Sequence, residues 1–178
     1  MNLDERREHE KSKYVWLAEH RGPGYGSSNH AYKSGAIQYV KDPEYTVDFG
    51  CGDNGFLRES GLTGVGIDFV NQGADIIAGM HDVPVEDDVA DLVTSFDALE
   101  HLLPEEVDEV LQEMQRVAKT GADLIFTICS QPSVIKAFGE NLHPTVQPPS
   151  WWIETIGKYA TVRLEDSPHG QIYTGVWK

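Results

Sequence analysis

The sequence predicts an α/β fold: a mostly parallel β-sheet with helices on both faces, followed by an antiparallel hairpin. Three observations carry this expectation. Five short β-type runs alternate with helical patterns between residues 45 and 128. Gly50, Gly52 and Gly55 follow the first run in the spacing G-x-G-x-x-G. Two further β-type runs flank a Ser-Pro-Gly turn near residue 170.

The elements can be taken in order. Residues 3–20 and 28–41 read as helices joined by the glycine-rich RGPGYGSSN, with Ser28 placed to cap the second. Strands are expected at 45–49 (YTVDF), 64–68 (GVGID), 74–78 (ADIIA), 90–95 (ADLVTS) and 122–128 (ADLIFTI). The clearest helix follows Pro104. Val107, Val110, Leu111, Met114, Val117 and Ala118 recur every three or four residues, while Glu105, Glu106, Asp108, Glu109 and Glu113 fill the opposite, solvated face. Pro104 suits its first turn and Gly121 its exit. After the fifth strand, CSQPSVIKAFGENLHPTVQPPS is irregular, WWIETIGKY gives a short amphipathic helix, and TVRLED and QIYTGVWK form the hairpin.

Length and composition narrow the function. The 178 residues, 40% hydrophobic and 24% charged, suit one globular domain with a sizeable core. A net charge of −15, from 29 acidic and 14 basic side chains, repels phosphate backbones and argues against a nucleic-acid partner. The densest basic segment, ERREHEKSK at 5–13, is interleaved with acids and reads as a solvated helix face. Cys51 and Cys129 fall in a glycine turn and at a strand end, which suits a reducing compartment better than a disulfide framework. With no signal-peptide pattern and no long apolar run, a cytoplasmic location without a membrane partner is expected.

The glycine turn poses the ligand question. Asp68 closes the second strand 18 residues after Gly50, and this is the arrangement in which an acid accepts hydrogen bonds from ribose hydroxyls. Both NAD and S-adenosylmethionine fit so far. Three features favour the second. Asp48 lies inside the strand two residues before Gly50, where a buried carboxylate opposes a pyrophosphate but can anchor loop amides and a cationic ammonium. The fourth strand runs into the polar SFDALEHL at 95–102, and the chain is too short for the separate substrate domain of a typical dehydrogenase.

Together, VDFGCGDNGF, GVGIDF, MHDVPVEDDVADLVTSFDALEHL and the helix leading to GADLIFTI resemble class I S-adenosylmethionine-dependent methyltransferases over roughly residues 45–130. The resemblance implies a Rossmann-like, doubly wound sheet of seven strands with the last antiparallel, and S-adenosyl-L-methionine as cofactor. It assigns Asp48, Gly50, Cys51 and Gly52 to the loop beneath the methionine moiety, Asp68 to the ribose and Phe69 to packing near the adenine. Phe96 and Asp97 would offer backbone groups at the methionine end. Many relatives carry an acid where this chain has Gly79, so Met80 and His81 are expected to contact the adenine through their backbone, with Asp82 as the alternative acid. Residues 1–44 would then be a helical cap, 45–128 the cofactor-binding core, and 129–178 the acceptor-side loop, helix and hairpin.

Methyl transfer needs alignment of the two reactants, exclusion of water and, for an oxygen or nitrogen acceptor, a base. His101 in LEHLLP and His143 in NLHPTVQPPSWW are the candidates, while His169 falls in the hairpin turn. Glu100 could orient His101 or a metal, but one Glu-His pair has no diagnostic metal spacing, and no metal is expected. Of the adjacent Trp151 and Trp152, one should be core, leaving the other to stack on an acceptor. A small-molecule or glycan-type acceptor is expected. A catalytically silent cofactor-binding regulator and an NAD-linked oxidoreductase are the alternatives, and the oligomeric state stays open.

Overall fold

The computed structural model describes residues 1–21, 30–165, 167 and 170–178. Ser28, most of the glycine-rich joint before it and His169 lie outside these residues. In chain order the elements are α1 (Leu3–Arg21), α2 (His30–Lys33), a 3-10 turn (Ala36–Tyr39), β1 (Thr46–Phe49), α3 (Gly55–Ser60), β2 (Gly64–Asp68), β3 (Ile76–Ile77) and β4 (Ala90–Phe96). A 3-10 turn at Leu99–His101 precedes α4 (Val107–Val117), β5 (Ala118–Thr127), β6 (Lys136–Ala137), β7 (Glu140–Asn141), α5 (Pro149–Ile156), β8 (Ala160–Glu165) and β9 (Ile172–Trp177).

Seven strands form one sheet in the order β3-β2-β1-β4-β5-β9-β8, and β6 and β7 make a separate small hairpin. The strands from β3 to β5 are parallel, whereas β9 pairs antiparallel with both β5 and β8. Thr46, Val47, Asp48 and Phe49 of β1 are all buried, as a central strand covered on both faces requires. The order reverses between β1 and β4, so the carboxyl ends of β1, β2 and β4 border the crevice where such sheets receive ligands.

The helical stripe behaves as its period predicts, because Val107, Val110, Leu111, Met114 and Val117 all enter the main core. The acidic face does not stay in water. Glu106 is buried, accepting the Leu103 amide at 2.8 Å and pairing with Arg7 at 2.7 Å. Glu113 accepts the Val83 amide at 2.8 Å and so ties the segment before β4 to α4. Nor is the basic segment of α1 a merely solvated face. Arg6 reaches Glu105 at 2.5 Å, Arg7 also pairs with Glu109, and Lys13 is buried between Glu10 and Glu140.

Three boundaries differ from expectation, the first being β3, which keeps only Ile76–Ile77 of the strand expected at 74–78. The helix expected over 28–41 breaks at Gly35, whose φ of +79° no helix accommodates. Ala118 and Gly121 belong to β5 rather than to the helix and its exit: Ala118 takes an extended backbone and pairs with Ala90. The register then jumps from Ala90 opposite Ala118 to Leu92 opposite Asp123, a bulge in which Gly121 adopts a φ of +86°. Among the described residues no helix is long and apolar enough to cross a membrane.

Candidate active site

The glycine loop leaves β1 in left-handed conformations, with φ of +72° at Gly50 and +58° at Gly52. A side chain at position 50 would place its Cβ 2.5 Å from that of Ala98, so the loop and the segment after β4 meet without space for one. Asp48 does not hold the loop amides, contrary to expectation. Those of Gly50 and Cys51 both donate to the Ile67 carbonyl, at 2.8 and 2.9 Å, because the adjacent parallel strand presents that acceptor in register. Gly52 donates to Asp68 Oδ2 at 3.2 Å, and Asp53 caps the Gly55 amide at the same distance.

Asp48 is fully buried. Its Oδ1 accepts the Thr94 hydroxyl across the β1–β4 pair at 2.7 Å, while Oδ2 has no hydrogen-bond partner among the described residues. Burial pushes its carboxyl up to about 7, against the Thr94 bond and with help from the charge of Asp68. A buried carboxylate with an uncommitted oxygen suits a cationic ligand group. Burial and the neighbouring acids hold the Cys51 thiol far above its ordinary range, so Cys51 is a packing residue rather than a nucleophile.

Asp68 stands at the carboxyl end of β2 with Oδ1 accepting the Val70 and Asn71 amides at 2.9 and 2.8 Å. These bonds orient the carboxylate at the strand tip. Phe69 packs edge-on against Tyr14 of α1, with ring centroids 5.2 Å apart. Met80 packs on the main core, and its sulfur borders the space above Gly50. A Cβ at Gly79 would come 2.7 Å from the His81 ring, so the imidazole occupies the place an acid there would enter. Phe96 is a core side chain, packed against Phe56 with centroids 4.8 Å apart. The Asp97 amide donates to the carbonyl and hydroxyl of Thr127, at 2.9 and 3.0 Å. That amide is committed to β5, so the backbone groups expected at the methionine end would be carbonyls.

Beyond β4, the Leu99–His101 turn carries Glu100 inward and His101 toward α1. Glu100 is fully buried, and burial beside Asp97 pushes its carboxyl up to about 8. His101 Nδ1 lies 2.7 Å from the Leu142 carbonyl and also meets the Tyr14 hydroxyl. The His143 ring stands edge-on to that of His101, with centroids 4.6 Å apart. Asn141 fixes this loop by accepting the amides of Ser133 and His143 at 3.1 and 2.8 Å. Buried Thr145 closes it onto the turn, donating its amide to the Glu100 carbonyl and its hydroxyl to that of Leu102. Trp152 is core and Trp151 is half-buried against the same cluster, with ring centroids 4.9 Å apart.

The fold thus gathers two groups at one edge: Asp48, the glycine loop and Asp68 on one side, and Glu100, His101 and His143 on the other, with Tyr14 between Phe69 and His101. Sequence reading missed Tyr14, which is 87 residues from His101, and Thr94, whose pairing with Asp48 depends on strand register. A groove of about 410 Å³ beside β5, β8 and β9 is lined by none of the expected site residues.

Comparison with known proteins accords with this geometry. A family model described as a methyltransferase domain matches residues 47–126, from β1 through β5. The fold is similar to that of the 1,6-didemethyltoxoflavin-N1-methyltransferase of Burkholderia thailandensis, solved with 1,6-didemethyltoxoflavin and S-adenosylhomocysteine bound. The TM-score is 0.71 and the identity 14%, over 99% of this chain and 89% of that one. PH0226 protein from Pyrococcus horikoshii OT3 aligns at TM-score 0.67 and 19% identity, over 88% of this chain and 95% of its own. A SAM dependent methyltransferase from Archaeoglobus fulgidus aligns at 0.65 and 16%, over 93% and 98%. At these identities the structural likeness is one of fold. No curated protein matches the chain.

The strand order, the glycine loop after β1 and the acid closing β2 are those of an α/β methyltransferase fold. Residues 47–126 match the methyltransferase-domain family, and the fold is similar to that of methyltransferases that use S-adenosyl-L-methionine as cofactor. The residues present fit that cofactor. The uncommitted Asp48 oxygen suits a cation, the space over Gly50 admits no side chain, and Asp68 suits a diol.

Proposed function

We propose that this enzyme methylates an oxygen or nitrogen atom of a small-molecule or glycan-type acceptor, with His101 as the general base and His143 beside it. The observation that carries this reading is the pair of imidazoles at the carboxyl edge of the sheet, enclosed by α1, the turn after β4 and the 129–148 loop. The whole chain would act as one unit, with residues 1–44 as cap and 129–178 as the acceptor side.

Bound S-adenosylmethionine supplies an electrophilic methyl group on a sulfonium centre. The protein's own part is to bind, orient and exclude water. Asp48 would receive the ammonium, with Gly50, Cys51 and Gly52 lining the methionine moiety. Asp68 would receive the ribose hydroxyls, with Phe69, Met80 and His81 bordering the adenine. Phe96 holds the floor by packing, and Asp97 shapes the exit of β4 through its φ of +49°. With Nδ1 facing the Leu142 carbonyl, a proton on that nitrogen would leave Nε2 as the basic atom for an acceptor. The net charge of −15 favours a neutral or cationic acceptor over a nucleic acid.

The test is a methyl-transfer screen against metabolite and sugar pools, followed by His101→Ala. Turnover should fall about 100- to 10,000-fold, the usual scale for a lost general base, with cofactor affinity nearly unchanged. A fully active variant would remove His101 from the chemistry and transfer the base role to His143.

A further inference from the structure

Glu100 and His101 are neighbours in sequence, and folding brings His143 to them. One donor atom from each of the three lies within 4.8 Å of those of the other two. Glu100 is buried, with Oε1 accepting the Cys129 amide at 3.0 Å and Oε2 lacking any hydrogen-bond partner among the described residues. A buried carboxylate oxygen left in that condition is costly unless a proton or a cation supplies the missing interaction.

Both imidazoles are oriented in the same way. His101 Nδ1 is 2.7 Å from the Leu142 carbonyl and His143 Nδ1 is 2.6 Å from the Gln131 carbonyl. A carbonyl only accepts, so a proton on each Nδ1 would satisfy these contacts, with the Tyr14 hydroxyl also meeting His101 Nδ1, and would leave Nε2 as the ligand atom. Backbone carbonyls that hold Nδ1–H in this manner are the usual second layer behind metal-bound histidines. A second cluster on the chain provides a contrast. His9, Glu10 and Glu140 also converge, but there the Lys13 ammonium already sits 2.7 Å from Glu10 and 2.9 Å from Glu140.

We propose that Glu100, His101 and His143 bind one divalent transition-metal ion of the zinc type at the acceptor edge. The proposal rests on the acceptor reading for its purpose, though the binding itself does not require it. Two imidazoles and one carboxylate are a donor set for such ions, and three protein ligands leave a coordination position open. Tetrahedral ligands at zinc distances stand about 3.4 Å apart, so the cluster contracts around the ion. The open position would take the acceptor's hydroxyl or amine, lower its pKa and align its lone pair with the methyl group, the released proton passing to solvent. In the metal-loaded enzyme His101 serves as a ligand to the ion that activates the acceptor, and this replaces its role as the direct base.

The test uses the full-length chain without a polyhistidine tag, stripped with chelator and titrated separately with Co²⁺ and Zn²⁺. One-to-one binding is expected, with ligand-field absorption in the visible for Co²⁺ and displacement of that signal by Zn²⁺. His143→Ala and Glu100→Gln should each weaken binding at least tenfold, whereas His9→Ala should leave it unchanged. S-adenosylmethionine affinity, measured on every variant, reports whether the fold is intact. The absence of saturable binding to the wild-type chain would overturn the proposal, as would wild-type affinity in His143→Ala or an equal loss in His9→Ala. If metal binding fails while methyl transfer persists in the presence of chelator, the metal site falls and the methyltransferase reading stands.

Discussion

Asp68 and Asp48 show how the same side chain serves two purposes at neighbouring strand tips. The Asp68 carboxylate is oriented by the Gly52, Val70 and Asn71 amides. A carboxylate so held is a ready acceptor for a pair of ribose hydroxyls. Replacing it by Ala removes those bonds and loosens the loop, so cofactor affinity should fall by about 1.5–3 kcal/mol, the scale of a hydrogen bond to a charged group. Calorimetric titration with S-adenosylhomocysteine checks this, and an unchanged affinity would place the ribose elsewhere. Such roles are only partly readable from a sequence. Asp48 and Asp68 stand out by their positions around the glycines, but Thr94 becomes the partner of Asp48 only because β1 and β4 pair Asp48 with Thr94.

At the scale of elements, α1 is the part that sequence reading understood least. Its basic residues look like a solvated face because the acids that neutralise them lie about a hundred residues away, at the start of α4. Those pairs dock α1 so that Tyr14 reaches both Phe69 and His101. Arg7→Ala should therefore cost about 1–2 kcal/mol, between the values for exposed and buried ion pairs, and it should release α1 selectively. Hydrogen exchange is the measurement: amides of residues 3–21 should exchange faster while β1 and β4 keep their protection. Uniform loss of protection would mean that α1 is integral to the global core. The helix and strand periods served better where one partner decides burial, as in the stripe from Val107 to Val117. They failed at Ala118, which satisfies the helical spacing equally well and is made a strand residue by Ala90 across the sheet.

For the molecule as a whole, the buried acids set an unusual pH dependence. The Asp48 carboxyl is raised in the fold from 3.8 to about 7, so between those values the unfolded chain has released a proton that the folded chain retains. Stability is therefore highest below the lower value and declines as pH rises toward 7, by about 3–5 kcal/mol from this group. Glu100, pushed up to about 8, adds a slope of the same sign. Glu140, held down to about 2 by His9 and Lys13, is ionised in both states above pH 5 and leaves that window flat. The melting temperature of the ligand-free enzyme should fall from pH 5 to pH 8, and the cofactor-induced rise should grow over the same range as a cation comes to favour ionised Asp48. Asp48→Asn should reduce both slopes, leaving the Glu100 contribution to the first; slopes identical to wild type would show that Asp48 does not titrate there. The sheet order carries a further consequence, for synthesis. β9 fills the place between β5 and β8, yet residue 172 follows residue 127 by 45 positions. At translation rates of 5–20 residues per second, the outer edge of β5 waits roughly 2–10 s for its neighbour. During that interval the nascent chain carries an open sheet edge next to its own core, the kind of edge that pairs with other chains.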